Sequence, residues 1–67
     1  METSAPIEIS FVIPVFNERD TLAPLTAGIL DHVGGRRHEI VFVDDGSTDG
    51  STDELMRLAA VYPSVRV

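Results

Sequence analysis

The sequence predicts an α/β fold on a parallel sheet, in the order β-α-β-α-β with the last strand incomplete. Three observations carry this. An unbroken apolar run, Ile40-Val41-Phe42-Val43, leads straight into Asp44-Asp45-Gly46. A second strand-like run, Ile7 to Val15, precedes it. Between and after the two runs, apolar residues recur at helical spacing. Strands alternating with helices give a parallel sheet joined by right-handed crossovers.

Met1 to Pro6 is small and polar, a loose leader of residues 1–6 ahead of a folded unit over 7–67. In the first strand Ile7, Ile9, Phe11, Val12, Ile13 and Val15 are apolar, with Glu8 and Ser10 alternating early. Pro14 cannot donate to a ladder, so the regular strand is expected to end near Ile13. Phe16-Asn17-Glu18-Arg19 forms a turn into a helix that starts between Asp20 and Ala23. Asp20 or Thr21 is its expected N-cap, with Pro24 in the first turn. Leu22, Leu25, Ile29 and Val33 share one face, and Gly34-Gly35 ends the helix. Ile40 to Val43 is rich in β-branched residues and reads as a strand buried on both faces. Ser51-Thr52-Asp53-Glu54 fits a capping box, with the serine hydroxyl reaching the Glu54 amide. Leu55, Leu58, Ala59 and Tyr62 form the second helix's apolar face, Pro63 stops it, and Val65-Arg66-Val67 opens a third strand.

Composition narrows the function. The chain has 67 residues, no cysteine, no tryptophan and a net charge of −6. A domain this small buries only about 60% of its unfolded surface, and its core rarely supplies more than roughly 3–5 kcal/mol. Neither a disulfide nor a structural metal can staple it, since His32 and His38 lack partners at ligand spacing and read as surface residues. An apolar content of 43% still argues for a folded chain, which points to part of a larger domain. The acidic balance leaves no basic patch to displace counterions, so nucleic acid is not an expected partner. Arg36-Arg37-His38 is the one basic cluster and reads as a solvated loop. With no secretory signal and no apolar run near the ~20 residues that span a bilayer, the expected location is cytoplasmic.

Two neighbouring carboxylates repel, and a structural loop has no need of both. At the carboxyl end of a strand they sit where open α/β sheets bind ligands. A dinucleotide site would need Gly-x-Gly-x-x-Gly after the first strand, where Pro14-Val15-Phe16-Asn17-Glu18-Arg19 has no glycine. A calcium loop counted from Asp45 puts Met56 where a bidentate glutamate belongs. A phosphoacceptor receiver domain carries an acid pair after its first strand, but here a complete β-α unit comes first. A nucleoside pocket explains both loops. A strand-end carboxylate can accept hydrogen bonds from base N–H groups or ribose hydroxyls, Gly46 lets the chain turn beside the ligand, and Pro14-Val15-Phe16 supplies the opposite wall.

The two blocks, Pro14-x-Phe16-Asn17-Glu18 and Asp44-Asp45-Gly46-Ser47-Thr48-Asp49, lie in order about 25 residues apart. They resemble the family 2 inverting glycosyltransferases with the GT-A fold, whose blocks read Pro-x-Tyr-Asn-Glu and Asp-Asp-Gly-Ser-x-Asp. The resemblance covers almost the whole chain from Ile7. Asn17-Glu18 followed by Leu22, and His38 to Val43 before the acids, look most like the polyprenyl-phosphate sugar transferases of the dolichol-phosphate mannosyltransferase type.

The resemblance implies the N-terminal portion of a GT-A, Rossmann-like domain that binds a nucleotide-sugar donor of UDP or GDP type. It implies that Pro14, Phe16, Glu18 and Asp44 surround base and ribose, that Asp45 shapes the loop or reaches the ribose through water, and that Gly46 and Ser47 form the turn. Phe16 replaces the usual tyrosine, keeping the ring and losing its hydroxyl. A lipid phosphate, foremost a polyprenyl phosphate, or a glycan is the implied acceptor of the full-length protein. A divalent metal, Mg or Mn, is implied for the full-length enzyme, held by an Asp-x-Asp that this chain lacks, as it lacks the catalytic base. On its own the chain is then expected to be inactive. A non-enzymatic remnant and a receiver-like signalling module are the alternatives.

Overall fold

The computed structural model describes residues 6–67, and five elements follow in order: β1 (Ile9–Val15), α1 (Arg19–Val33), β2 (His38–Asp44), α2 (Ser51–Val61) and β3 (Val65–Arg66). The leader expected over residues 1–6 lies, but for Pro6, outside the described residues. The sheet order is β1-β2-β3 and both pairings are parallel. Phe11 is in register with Ile40, Ile13 with Phe42 and Val15 with Asp44. Side chains alternate along a strand, so these residues line one sheet face. Val15, Ile40, Phe42 and Val65 of that face join Leu22, Leu55 and Leu58 of the helices in the core. Right-handed crossovers to successive strands put both helices on the same side, and α1 packs against α2.

The other face differs from expectation. Ile40 and Phe42 are fully buried, but Val43 is 50% and Val12 66% exposed. Both helices are used on one side, so the described residues supply no second layer, and β2 is buried on one face only.

Local chemistry shifts several boundaries. β1 does not stop at Ile13; it runs through Pro14 to Val15. Ile9 N donates to Arg37 O and Val15 O accepts from Asp45 N, so odd-numbered peptide groups of β1 face β2. Pro14 points its missing N–H at the strand's free edge, where it costs no ladder bond. α1 begins at Arg19 with Glu18 as N-cap, ahead of the expected Asp20 or Thr21, and the Thr21 amide and hydroxyl both donate to Glu18 O. Pro24 is therefore its sixth residue, past the first turn. The inward face is Leu22, Thr26 and Val33, with Ile29 and Leu30 beside them, while Leu25 lies at its exposed margin. Thr26 tolerates burial because its hydroxyl donates to Leu22 O at 2.8 Å.

β2 extends beyond Ile40 to Val43 at both ends, taking in His38 and Asp44. His38 is consequently half-buried, not a surface residue, and its Nε2 is buried without a partner. His32 is exposed as expected. α2 starts at Ser51, with Gly50 as a left-handed N-cap at φ +94°. The expected capping box does not form: the Glu54 amide bonds Gly50 O, and the Ser51 hydroxyl is committed elsewhere.

Candidate functional site

Because β1 and β2 are parallel, the segments after both strands emerge at one end of the sheet. The last register pair is Val15 with Asp44, which sets Phe16 one residue beyond β1 beside the start of the acidic loop. Four hydrogen bonds then lace the two segments together. Asn17 N donates to Ser47 Oγ at 2.9 Å, and Thr48 N donates back to Asn17 Oδ1 at 2.8 Å. Glu18 N donates to Ser51 Oγ at 2.9 Å, and Arg19 N to Asp49 Oδ2 at 3.3 Å. Asn17 holds a left-handed conformation, φ +52°, which asparagine tolerates better than most residues. Ser51, fully buried, accepts from Glu18 N and donates its own hydroxyl to Asp49 Oδ1 at 2.6 Å.

Asp44 is equally committed. Its Oδ1 accepts from Ser47 N at 3.0 Å, closing a tight turn over Gly46 at φ +82°. Its Oδ2 accepts from the Thr52 hydroxyl on the first turn of α2. The residues expected to contact a nucleotide occupy this surface in different ways. Pro14 and Phe16 are exposed, the phenylalanine ring at 56%. Glu18 and Asp45 are exposed carboxylates with no side-chain partner among the described residues. Gly46 and Ser47 build the turn. Two clefts elsewhere contain none of these residues: an apolar one of about 470 Å³ lined by Phe11, Pro24, Leu25, Gly28, Ile29 and His32, and one of about 340 Å³ among Arg36, Arg37, His38 and Arg66. The strand-end surface presents Pro14, Phe16, Glu18 and Asp45 to solvent.

That Asn17, Asp49 and Ser51 tie the two loops together, and that Thr52 holds Asp44, was not expected. Asn17 reads as a turn residue and the others as capping or solvated groups. The available signal was the density of hydroxyl and amide side chains flanking both blocks, more than a turn alone requires.

Residues 10–67 match glycosyl transferase family 2. The chain belongs to that family. An undecaprenyl-phosphate 4-deoxy-4-formamido-L-arabinose transferase of Edwardsiella ictaluri is 48% identical over 62 residues, covering 88% of this chain and 18% of that protein. Dolichol-phosphate mannosyltransferases of Pyrococcus furiosus and Saccharomyces cerevisiae are 37% and 34% identical. Those alignments cover 85% and 91% of this chain, and 16% and 24% of the relatives. The chain therefore spans a quarter or less of the length of these curated relatives. The likeness to polyprenyl-phosphate sugar transferases agrees with these names, and the β-α-β-α-β parallel sheet fits the N-terminal, Rossmann-like portion of a GT-A domain.

In this family 2 chain the acids crowd at one end. Asp44 ends β2, and Glu18, Asp20, Asp45, Asp49, Asp53 and Glu54 lie in the two loops or the adjoining helix starts. The Thr52 hydroxyl, then the Ser47 hydroxyl and amide, hold the Asp44 carboxyl below the usual carboxylate range. The Ser51 hydroxyl does the same for Asp49. Both are ionised at neutral pH and serve as acceptors only. Among the described residues no group of three or more His, Cys, Asp or Glu is arranged to hold a metal ion. A diphosphate placed at this end would meet net negative charge. None of the described helices is long and apolar enough to cross a membrane.

Two expected outcomes follow from the lacing. Ser51→Ala removes the acceptor for Glu18 N and the donor to Asp49, and is expected to cost about 1–3 kcal/mol in urea unfolding. Acid should loosen the loops. A carboxyl held low in the folded state stabilises it fully above the unfolded value near ~3.9, and that contribution fades as pH falls through the lower folded value. The amides of Ser47 and Ser51 should therefore lose protection from hydrogen exchange as pH drops below about 4.

Proposed function

We propose that residues 7–67 are the N-terminal part of a GT-A domain and form the nucleoside-binding wall of a sugar transferase. The parent reaction is transfer of a sugar from a UDP- or GDP-type donor to a polyprenyl phosphate, with inversion at the anomeric carbon. The observation that carries this reading is the lacing of the two strand-end segments, which holds Phe16 and Glu18 in fixed relation to Asp44. An ionised carboxylate accepts from the N–H of uracil or guanine, and the exposed Phe16 ring offers an apolar face for the base to stack on. Pro14 continues that wall. The unpartnered Glu18 and Asp45 carboxylates are free to accept from ribose hydroxyls, Asp45 through water. Gly46 and Ser47 keep the turn tight.

The names of the relatives support a lipid-phosphate acceptor, and with it a location at the cytoplasmic face of a membrane. The half-exposed apolar face of β2 supports a larger domain whose remaining part supplies the second layer. The divalent metal, the groups around the diphosphate and the base that activates the acceptor would belong to that part. This chain contributes binding and orientation of the nucleoside.

The test separates binding from chemistry. The 67-residue chain, given labelled UDP- and GDP-sugars, undecaprenyl phosphate and Mg²⁺, is expected to retain nucleotide on a filter and to move no label into the organic phase. Label in the lipid extract would contradict this division of labour. Absence of nucleotide retention would favour the inert remnant.

A further inference from the structure

We propose that Thr52 is a positioning residue that sets base selectivity, holding the Asp44 carboxylate so that it accepts from uracil or guanine and rejects cytosine. The inference rests on the nucleoside-wall reading and concerns the same site. A carboxylate offers about four lone-pair directions. Ser47 occupies Oδ1 through its amide at 3.0 Å. That donor belongs to the turn that Asp44 itself closes. Thr52 is the donor from another element: it stands eight residues on, in the first turn of α2, and bonds Oδ2.

With one oxygen tied to the turn and the other to the helix, rotation about the Cβ–Cγ bond is blocked. The free acceptor direction is then fixed relative to the sheet end. An exposed threonine at a helix start can be satisfied by water, so its commitment to Asp44 orients the carboxylate and is not needed to bury a polar group.

The chemistry of the bases supplies the consequence. Uracil presents N3–H, and guanine N1–H with its amino group, to an acceptor at that edge. Cytosine presents the N3 lone pair at the same place, and a pinned carboxylate repels it. A carboxylate free to rotate could turn from the lone pair towards the cytosine amino group. Pinning therefore produces selectivity by rejecting the wrong base as much as by binding the right one.

Equilibrium dialysis of the full 67-residue chain against UDP, GDP and CDP tests this, using wild type, Thr52→Val and Thr52→Ser. Wild type is expected to bind UDP or GDP about tenfold or more tighter than CDP. Thr52→Val, similar in size and lacking the hydroxyl, should bring that ratio to within about threefold, and Thr52→Ser should restore it. A dispersed amide spectrum for each variant shows that the fold is kept. A Thr52→Val protein with the wild-type ratio overturns the positioning role and leaves the nucleoside reading intact. Wild type that binds none of the three nucleotides overturns the nucleoside reading, and the positioning role with it.

Discussion

Phe42→Ala is expected to leave the 67-residue chain unfolded at room temperature. Phe42 is 1% exposed and is among the largest fully buried side chains of the core. It sits mid-sheet, in register with Ile13 and in a cluster with Val15, Leu22, Leu55 and Leu58. Truncating such a residue costs about 3–5 kcal/mol through lost transfer energy and the cavity left behind. A core in a chain this short supplies roughly the same total. Far-UV circular dichroism with a urea titration checks it: the variant should lack a cooperative transition that the wild type shows. A retained transition with a midpoint close to wild type would mean that Phe42 carries far less of the core than its burial indicates.

The second large effect falls on the site. Asp44→Asn should lower UDP affinity about 10- to 100-fold while the fold survives. An asparagine oxygen can still accept from Ser47 N, so the turn over Gly46 has its hydrogen bond. The other atom becomes a donor, and the group loses its charge. An N–H on the base then meets either a weaker acceptor or another donor. Calorimetric UDP titration with a parallel melting curve separates the two effects. A large drop in melting temperature with unchanged affinity would mean that Asp44 is a turn-building residue alone. Asp44→Ala removes both roles at once and cannot make this distinction.

The existence, type and order of the elements were legible because the patterns are local: period two in Ile9–Val15, period 3.6 in the helices, and glycine or proline at the breaks. The errors come from partners that the pattern alone does not reveal, some of them distant in sequence. Ser51 carries a complete local capping signature, yet its hydroxyl is taken by Glu18 N, 33 residues earlier. No reading of Ser51 to Glu54 alone could have found that bond. Pro14 was read as a strand end because its missing donor was counted without knowing which edge it faced. Thr26 was passed over in favour of Leu25 because burial of a hydroxyl depends on the Leu22 carbonyl it can reach. The apolar run Ile40 to Val43 signalled a strand, but the expected burial on both faces fails: Val43 is half exposed because both helices lie on the other side. In the candidate site the acids and Phe16 were legible as residue types at a strand end. The clamp of Asn17, Ser47, Asp49 and Ser51 was not, because it forms only once β1 and β2 lie side by side, and the hold of Thr52 on Asp44 depends on how the connection between β2 and α2 folds back on itself.

The most direct test of the nucleoside wall is an amide chemical-shift map of the isotope-labelled chain titrated with UDP and GDP. Perturbations confined to Phe16–Glu18 and Asp44–Ser47, saturating with nucleotide concentration, are the expected result. No saturable change, or changes centred on the Arg36–Arg37 end of the sheet, would contradict the account.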